Sequence, residues 1–126
     1  MLVVHFEDTA KAIDETNLKV VSTPTIIALM EQTAVDAVQP SLPEGWTSVG
    51  TSINVNHIAA TPIGMTVTAY AELIGVDGRK LIFSIAARNE KELISEGIHE
   101  RFIVNKEHFM EKANSKKEGL AAELPI

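Results

Sequence analysis

Cysteine is absent from the 126 residues, which removes both a disulfide framework and a thiolate nucleophile from consideration. Histidine is sparse: the four present are scattered, without the HxxxH type of spacing that builds a metal site, so no metal cofactor is expected. Basic residues are outnumbered, with 11 Lys and Arg against 17 Asp and Glu and a formal net charge of -6. They form no cluster of the kind that tracks nucleic acid or an anionic membrane, and both are excluded as partners. No apolar run reaches the roughly 20 residues needed to cross a bilayer. The N-terminal MLVVHFEDTAK lacks a basic region followed by a cleavage site, so a cytoplasmic protein is expected. No internal repeat or linker interrupts the chain.

What remains is a balanced composition, 45% hydrophobic and 22% charged, that suits one soluble globular core. Met1 to Phe6 reads as a short β-prone run, and EDTAKAIDETN as a turn or a short irregular helix. The first long helix starts at Ser22-Thr23-Pro24, where Thr23 stands directly before proline in the order favoured for an N-cap and a first helical residue. It is expected to run to about Val38, ahead of Pro40.

From Thr47 the pattern changes to period two, the signature of half-buried strands. Val49, Ile53, Val55, His57 and Ala59 share one expected face. Met65, Val67, Ala69, Ala71 and Leu73 form a second set, and Leu81, Phe83, Ile85 and Ala87 a third, beyond a hairpin signal at Asp77-Gly78. A fourth strand spans Leu93 to Val104, and His108 to Lys117 reads as a short amphipathic helix before a solvated tail from about residue 118. One strand, one long helix and four antiparallel strands define an α+β domain over residues 1–126, in which the sheet curls around the helix. A single helix leaves the other face of that sheet to water or a partner.

Several residues break the pattern. At about 100° per residue, Glu31 falls among Ile27, Ala34, Val35 and Val38, away from Gln32, Asp36 and Gln39. A carboxylate there is either a perturbed functional group or one half of a structural ion pair, unless its side chain reaches back to water. His57 lies on the face toward the helix, which points it at Glu31; it is a proton carrier or a core histidine bonded to backbone. The Thr23 hydroxyl is explained as a cap, with a second role open in holding water or a substrate oxygen at the helix start. Gly50 and Gly64 bracket the His57 strand and mark bulges, close approaches of a ligand, or simple turns. His99-Glu100-Arg101 is most simply a solvated strand, although Arg101 suits a phosphate or carboxylate.

Taken together, VVSTPTIIALMEQTAVDAVQPSLPEGWTSVGTSINVNHIAATPIGMTVTAYAEL and the later EGIHERF resemble the fluoroacetyl-CoA thioesterase-like branch of the hot-dog superfamily. The resemblance covers nearly the whole chain. It rests on a Thr before the helix, a Glu eight residues later, a VG-T strand start and an H-x-AATP-x-G segment. It implies a βαββββ hot-dog fold, a homodimer with sites at the subunit interface and a tetramer as the next assembly. It also implies hydrolysis of a short acyl-CoA to carboxylate and free CoA without a cofactor. The family triad of Thr, Glu and His carries over to Thr23, Glu31 and His57, with Gly50, Gly64 and Arg101 as candidates for substrate binding. The segment before Thr23 is short and lacks the aromatic residues that the fluoroacetyl-specific enzyme uses as a lid, so other short acyl groups are open. The competing readings are a noncatalytic acyl-CoA or acyl-ligand binding dimer and, behind it, a hot-dog hydratase, whose expected Asp and His pattern is not apparent.

Overall fold

The structure, a computed structural model, describes residues 1–14 and 18–118. Its longest helix, α2, runs Thr23–Val38 and buries a stripe of Ile26, Met30, Ala34 and Val38, one residue per turn. The cap lies one residue earlier than expected. Ser22 is extended (φ -79, ψ 153) and its hydroxyl accepts from the Thr25 amide at 3.2 Å, with Pro24 in the first turn. Thr23 is therefore the first helical residue, and its hydroxyl is released from capping. At the far end Pro40 lies in a 3₁₀ turn, Gln39–Ser41, and cannot continue the helix. The Gln39 side chain donates to the Trp46 carbonyl at 2.9 Å and accepts from the Thr47 hydroxyl at 2.7 Å, tying the helix end to the next strand.

Five strands follow the sheet order β1-β3-β4-β5-β2, with all neighbours antiparallel. They are β1 (Leu2–Val3), β2 (Trp46–His57), β3 (Thr66–Asp77), β4 (Lys80–Arg88) and β5 (Leu93–Asn105). The sheet curls around α2, which packs chiefly against β3 and β4, and this is the expected hot-dog architecture. Leu81, Phe83, Ile85 and Ala87 of β4 are all buried, as their alternation requires. With Ile94, Val67, Val21, Val4 and the helix stripe they make the core. Full burial of a side chain the size of Phe83 contributes roughly 1.5–3 kcal/mol.

The period-two reading fails at two places. A bulge between Gly50 and Ser52 inserts Thr51 as an extra residue. Before it Ser48 and Gly50 face the helix; after it Ile53 and Val55 do. Val49 is consequently not on the Ile53 face, but lines a cleft on the outer side with Thr51, Phe102 and Phe109. The second correction is in β5, where the expected solvated HER segment is largely buried: His99 is 1% and Arg101 6% exposed. Only Glu100 turns outward, to Lys80 at 3.1 Å.

The polar N-terminal stretch forms a 3₁₀ turn (Phe6–Asp8) and a short helix, α1 (Ala10–Asp14); the end of that stretch, residues 15–17, lies outside the described residues. The last helix, α3 (Lys106–Ser115), starts two residues earlier than expected, capped by the Asn105 side chain on the His108 amide at 3.0 Å. The tail beyond residue 118 is outside the described residues. Among the described residues no helix is long and apolar enough to cross a membrane.

The AATP segment acts as a brace. Thr61 is fully buried; its carbonyl accepts from Val21 N at 2.8 Å, just ahead of α2, and its hydroxyl accepts from Asn89 Nδ2 at 3.0 Å. Asn89 Oδ1 in turn accepts from the amides of Lys91 and Glu92, so one residue links the helix entrance, the loop after β2 and the β4–β5 turn.

Ser22→Ala is expected to lower stability by about 1 kcal/mol in urea unfolding, the usual cost of a lost N-cap, and Thr23→Ala by less. The reverse order would return the cap to Thr23.

Candidate active site

The site begins with a charge that the sheet buries. Alternation along β5 turns Arg101 toward the helix, and its guanidinium finds acceptors on three sides. Nε donates to Ser48 Oγ at 2.7 Å, Nη2 to the Ser48 carbonyl at 2.8 Å, and Nη1 to His99 Nε2 at 3.2 Å. Burial pulls the Arg101 pKa below the ordinary arginine value, and the charge of Glu31 opposes that pull. An arginine remains cationic against such a shift.

Glu31, near the middle of α2, supplies the counter-charge, its Oε2 standing 3.7 Å from Arg101 Nη1. That distance is beyond the 2.7–2.9 Å or so of a charge-assisted hydrogen bond, so the attraction is electrostatic and leaves the carboxylate oxygens room for other partners. The Glu31 side chain is 39% exposed, against 7% for Arg101. Glu31 thus sits at the margin of the core stripe, with one side toward the cation and the other open.

Gly50 is bare because these groups converge over it. A Cβ built there would stand 3.0 Å from Glu31 Oε2, 3.3 Å from Arg101 Nη1 and 3.4 Å from His99 Cε1. Glu31, Gly50, Ser52 and His99 line an open cleft of about 260 Å³ together with Thr51 and Ile53.

A second cluster lies at the end of β2. His57 Nδ1 is 2.8 Å from Thr23 Oγ1, the hydroxyl that Ser22 releases from capping. His57 Nε2 is buried and has no hydrogen-bond partner among the described residues. His57 also lines a shallow cleft with Ile58, Ala59 and Ala60.

The structure therefore pairs Thr23 with His57, and Glu31 with Arg101 and Gly50, as two groups. The expectation that His57 points at Glu31 is not met within the chain: no hydrogen bond or ion pair among the described residues joins Glu31 to His57 or Thr23. Geometry gives the reason, since Gly50 and His57 are separated by roughly 20 Å of strand. Gly64 joins neither cluster. Its φ of 94 and its amide bond to the Val4 carbonyl at 2.9 Å are those of a turn residue, and a Cβ there would meet open space. Sequence reasoning missed His99 and Ser48. The available signal was the alternation Ser95, His99, Arg101 in β5, masked by apolar Ile98 and Phe102 on the opposite face. Among the described residues no group of three His, Asp or Glu is arranged to hold a metal ion.

A curled antiparallel sheet wrapped around one long helix is the architecture of the hot-dog thioesterases that this chain resembles. Residues 4–107 match the family described as fluoroacetyl-CoA-specific thioesterase, and the chain belongs to that family. It is 42% identical over 98 residues to the fluoroacetyl-CoA thioesterase of Streptantibioticus cattleyicolor, covering 78% of this chain and 70% of that one. A point mutant of a fluoroacetyl-CoA-specific thioesterase, solved with fluoroacetate and CoA, superposes with a TM-score of 0.85 at 37% identity, covering 91% of this chain and 94% of that one. A thioesterase superfamily member from Thermus thermophilus superposes at 0.88 with 26% identity, covering 96% and 90% of the two chains.

Gly50→Ala is expected to displace the Glu31 carboxylate and to lower turnover, with little loss of thermal stability, because the added methyl meets side-chain ends and not backbone. Unchanged turnover would show that the cleft has slack at this point.

Proposed function

We propose that this chain hydrolyses a short-chain acyl-CoA thioester to the carboxylate and free CoA, with Glu31 as base or nucleophile and His57, held by Thr23, as the proton carrier. The observation that carries this reading is the state of His57: Nδ1 is anchored to a hydroxyl while Nε2 is shielded and lacks a partner among the described residues. An imidazole anchored at one nitrogen and unbonded at the other is oriented for proton transfer through the unbonded one. A CoA thioester with a small acyl group is supported by the fluoroacetyl-CoA thioesterase relative and by the similar structure containing fluoroacetate and CoA.

In this reading Glu31 either takes the proton from a water that attacks the thioester carbonyl or attacks it directly, giving a mixed anhydride that water then opens. The C–S bond breaks, and the CoA sulfur leaves with a proton relayed by His57. Arg101 stands as a counter-charge to Glu31 rather than meeting the substrate, since each of its three side-chain nitrogens already donates within the protein, Nε and Nη2 to Ser48 and Nη1 to His99. The backbone at Gly50, free of a side chain, is the place where an amide can approach the developing oxyanion.

The distance between the two clusters calls for a homodimer. Eight helical residues separate Thr23 from Glu31 by about 12 Å, too far for a hydrogen bond within one helix. β2 is the outer strand of the sheet, and its far edge has no partner strand among the described residues. Antiparallel pairing of two β2 edges centred on Asn54, with Thr51 taken up as the extra residue, sets Gly50, and Glu31 above it, opposite the partner's His57. One protomer then supplies the carboxylate and the other the Thr23–His57 pair.

Release of free thiol from a panel of short acyl-CoAs tests the activity. Glu31→Gln is expected to lose about 100-fold or more in turnover while staying folded, as for a principal catalytic group. A folded variant with normal turnover would make Glu31 structural and leave a binding role.

Mixed dimers of Thr23→Ala and Glu31→Gln chains are expected to regain one intact site and about half of the wild-type activity per dimer. No recovery in proven heterodimers would place all three residues in one protomer's site, and a monomer in sedimentation at every concentration would reject the dimer itself.

A further inference from the structure

The imidazole of His99 is almost fully buried, yet it belongs neither to the apolar core nor to the pair that His57 forms. Its two ring nitrogens are assigned by their partners. Nδ1 is 2.8 Å from the carbonyl oxygen of Ser52, which only accepts, so Nδ1 carries the proton. Nε2 is 3.2 Å from Arg101 Nη1, which only donates, so Nε2 presents its lone pair. The same Nη1 is the guanidinium nitrogen nearest Glu31. The ring is braced by Phe83, stacked at a centroid distance of 6.2 Å and an interplanar angle of 29°. The Ser52 carbonyl that fixes its tautomer comes immediately after the Thr51 bulge.

We propose that His99 is a positioning residue for thioester hydrolysis: its Nε2 lone pair holds Arg101 Nη1 over Gly50 and thereby fixes where the Glu31 carboxylate stands. This rests on the reading of Glu31 as the working carboxylate. Ser48 holds the other two nitrogens of the guanidinium, Nε and Nη2, and leaves Nη1 to His99 and Glu31. Without the His99 acceptor, Nη1 has only a 3.7 Å attraction to a half-exposed carboxylate to set its position. A guanidinium held on one side alone swings about the bonds to Ser48, and the carboxylate follows it. Partners one step removed from a reacting group characteristically change activity by about 10–100-fold.

Two substitutions separate this role from packing. His99→Asn keeps an amide N–H in the place of Nδ1–H, to serve the Ser52 carbonyl, and removes the acceptor for Arg101. His99→Gln brings an amide oxygen toward the place of Nε2 and restores that acceptor. The expected result is a kcat about 10-fold lower for His99→Asn with KM little changed, and recovery of most of that loss in His99→Gln. Equal impairment of the two variants, or loss of thermal stability with kcat intact, would overturn the proposal.

A readout independent of activity keeps the test decisive if either variant folds poorly. In the wild-type protein ¹⁵N NMR is expected to find His99 Nε2 unprotonated and Arg101 Nη1–H slowed in rotation and exchange. A proton on Nε2, or a freely rotating Arg101, would overturn it. If these NMR signatures hold while Glu31→Gln retains full turnover, the arginine is positioned as described and it is the catalytic reading of Glu31 that fails.

Discussion

A guanidinium turned inward by a strand has to find an acceptor for each N–H and an opposite charge nearby, or the sheet cannot close over it. Much of the inner surface of this protein answers that demand of Arg101. Ser48 serves it with a hydroxyl and a carbonyl, His99 with a ring nitrogen, and Glu31 with charge. Gly50 gives up a side chain so that these groups can meet. Removing any one acceptor leaves a buried donor unpaired, which is costlier than the hydrogen bond alone was worth. Residues from α2, β2 and β5 are thereby coupled at one point of the fold.

The second cluster depends on a division of labour between neighbouring hydroxyls. Ser22 closes the helix, and Thr23, one residue on, faces His57. Had Thr23 been the cap, its oxygen would have been spent on a backbone amide. The brace through Thr61 holds Val21 just ahead of this pair, so the AATP segment sets the position of the helix entrance without itself presenting a reactive group.

Much of this was legible in the sequence, for physical reasons. The bounds of α2 were plain because a hydroxyl before proline starts a helix and Pro40 ends one. The inward face of β4 was plain because Leu81, Phe83, Ile85 and Ala87 alternate without interruption. Glu31 and His57 stood out as polar groups on apolar faces. The choice between Ser22 and Thr23 as cap was not legible, since the two are chemically equivalent in that role. Nor was the burial of His99 and Arg101. β5 carries apolar residues on its outer face as well, with Ile98 43% and Phe102 41% exposed, so polarity alone assigns the strand's inside to the wrong side. The pairing of Glu31 with Arg101 rather than with His57 follows from how far apart two positions on β2 lie, which a pattern of faces does not measure.

The extra residue at Thr51 has a consequence for how this strand tolerates change. Every residue of a strand inherits its side from the one before, so β2 carries two phases joined at a single point: even-numbered positions turn inward before the bulge and odd-numbered ones after it. Deleting or inserting one residue between Ser52 and His57 exchanges inside for outside for everything on one side of the change, whereas deleting Thr51 itself only removes the bulge. Substitution there alters one contact, whereas a change of length rotates one cluster out of the protein while leaving the other in place. The segment between the two clusters is therefore constrained in length far more strictly than in composition.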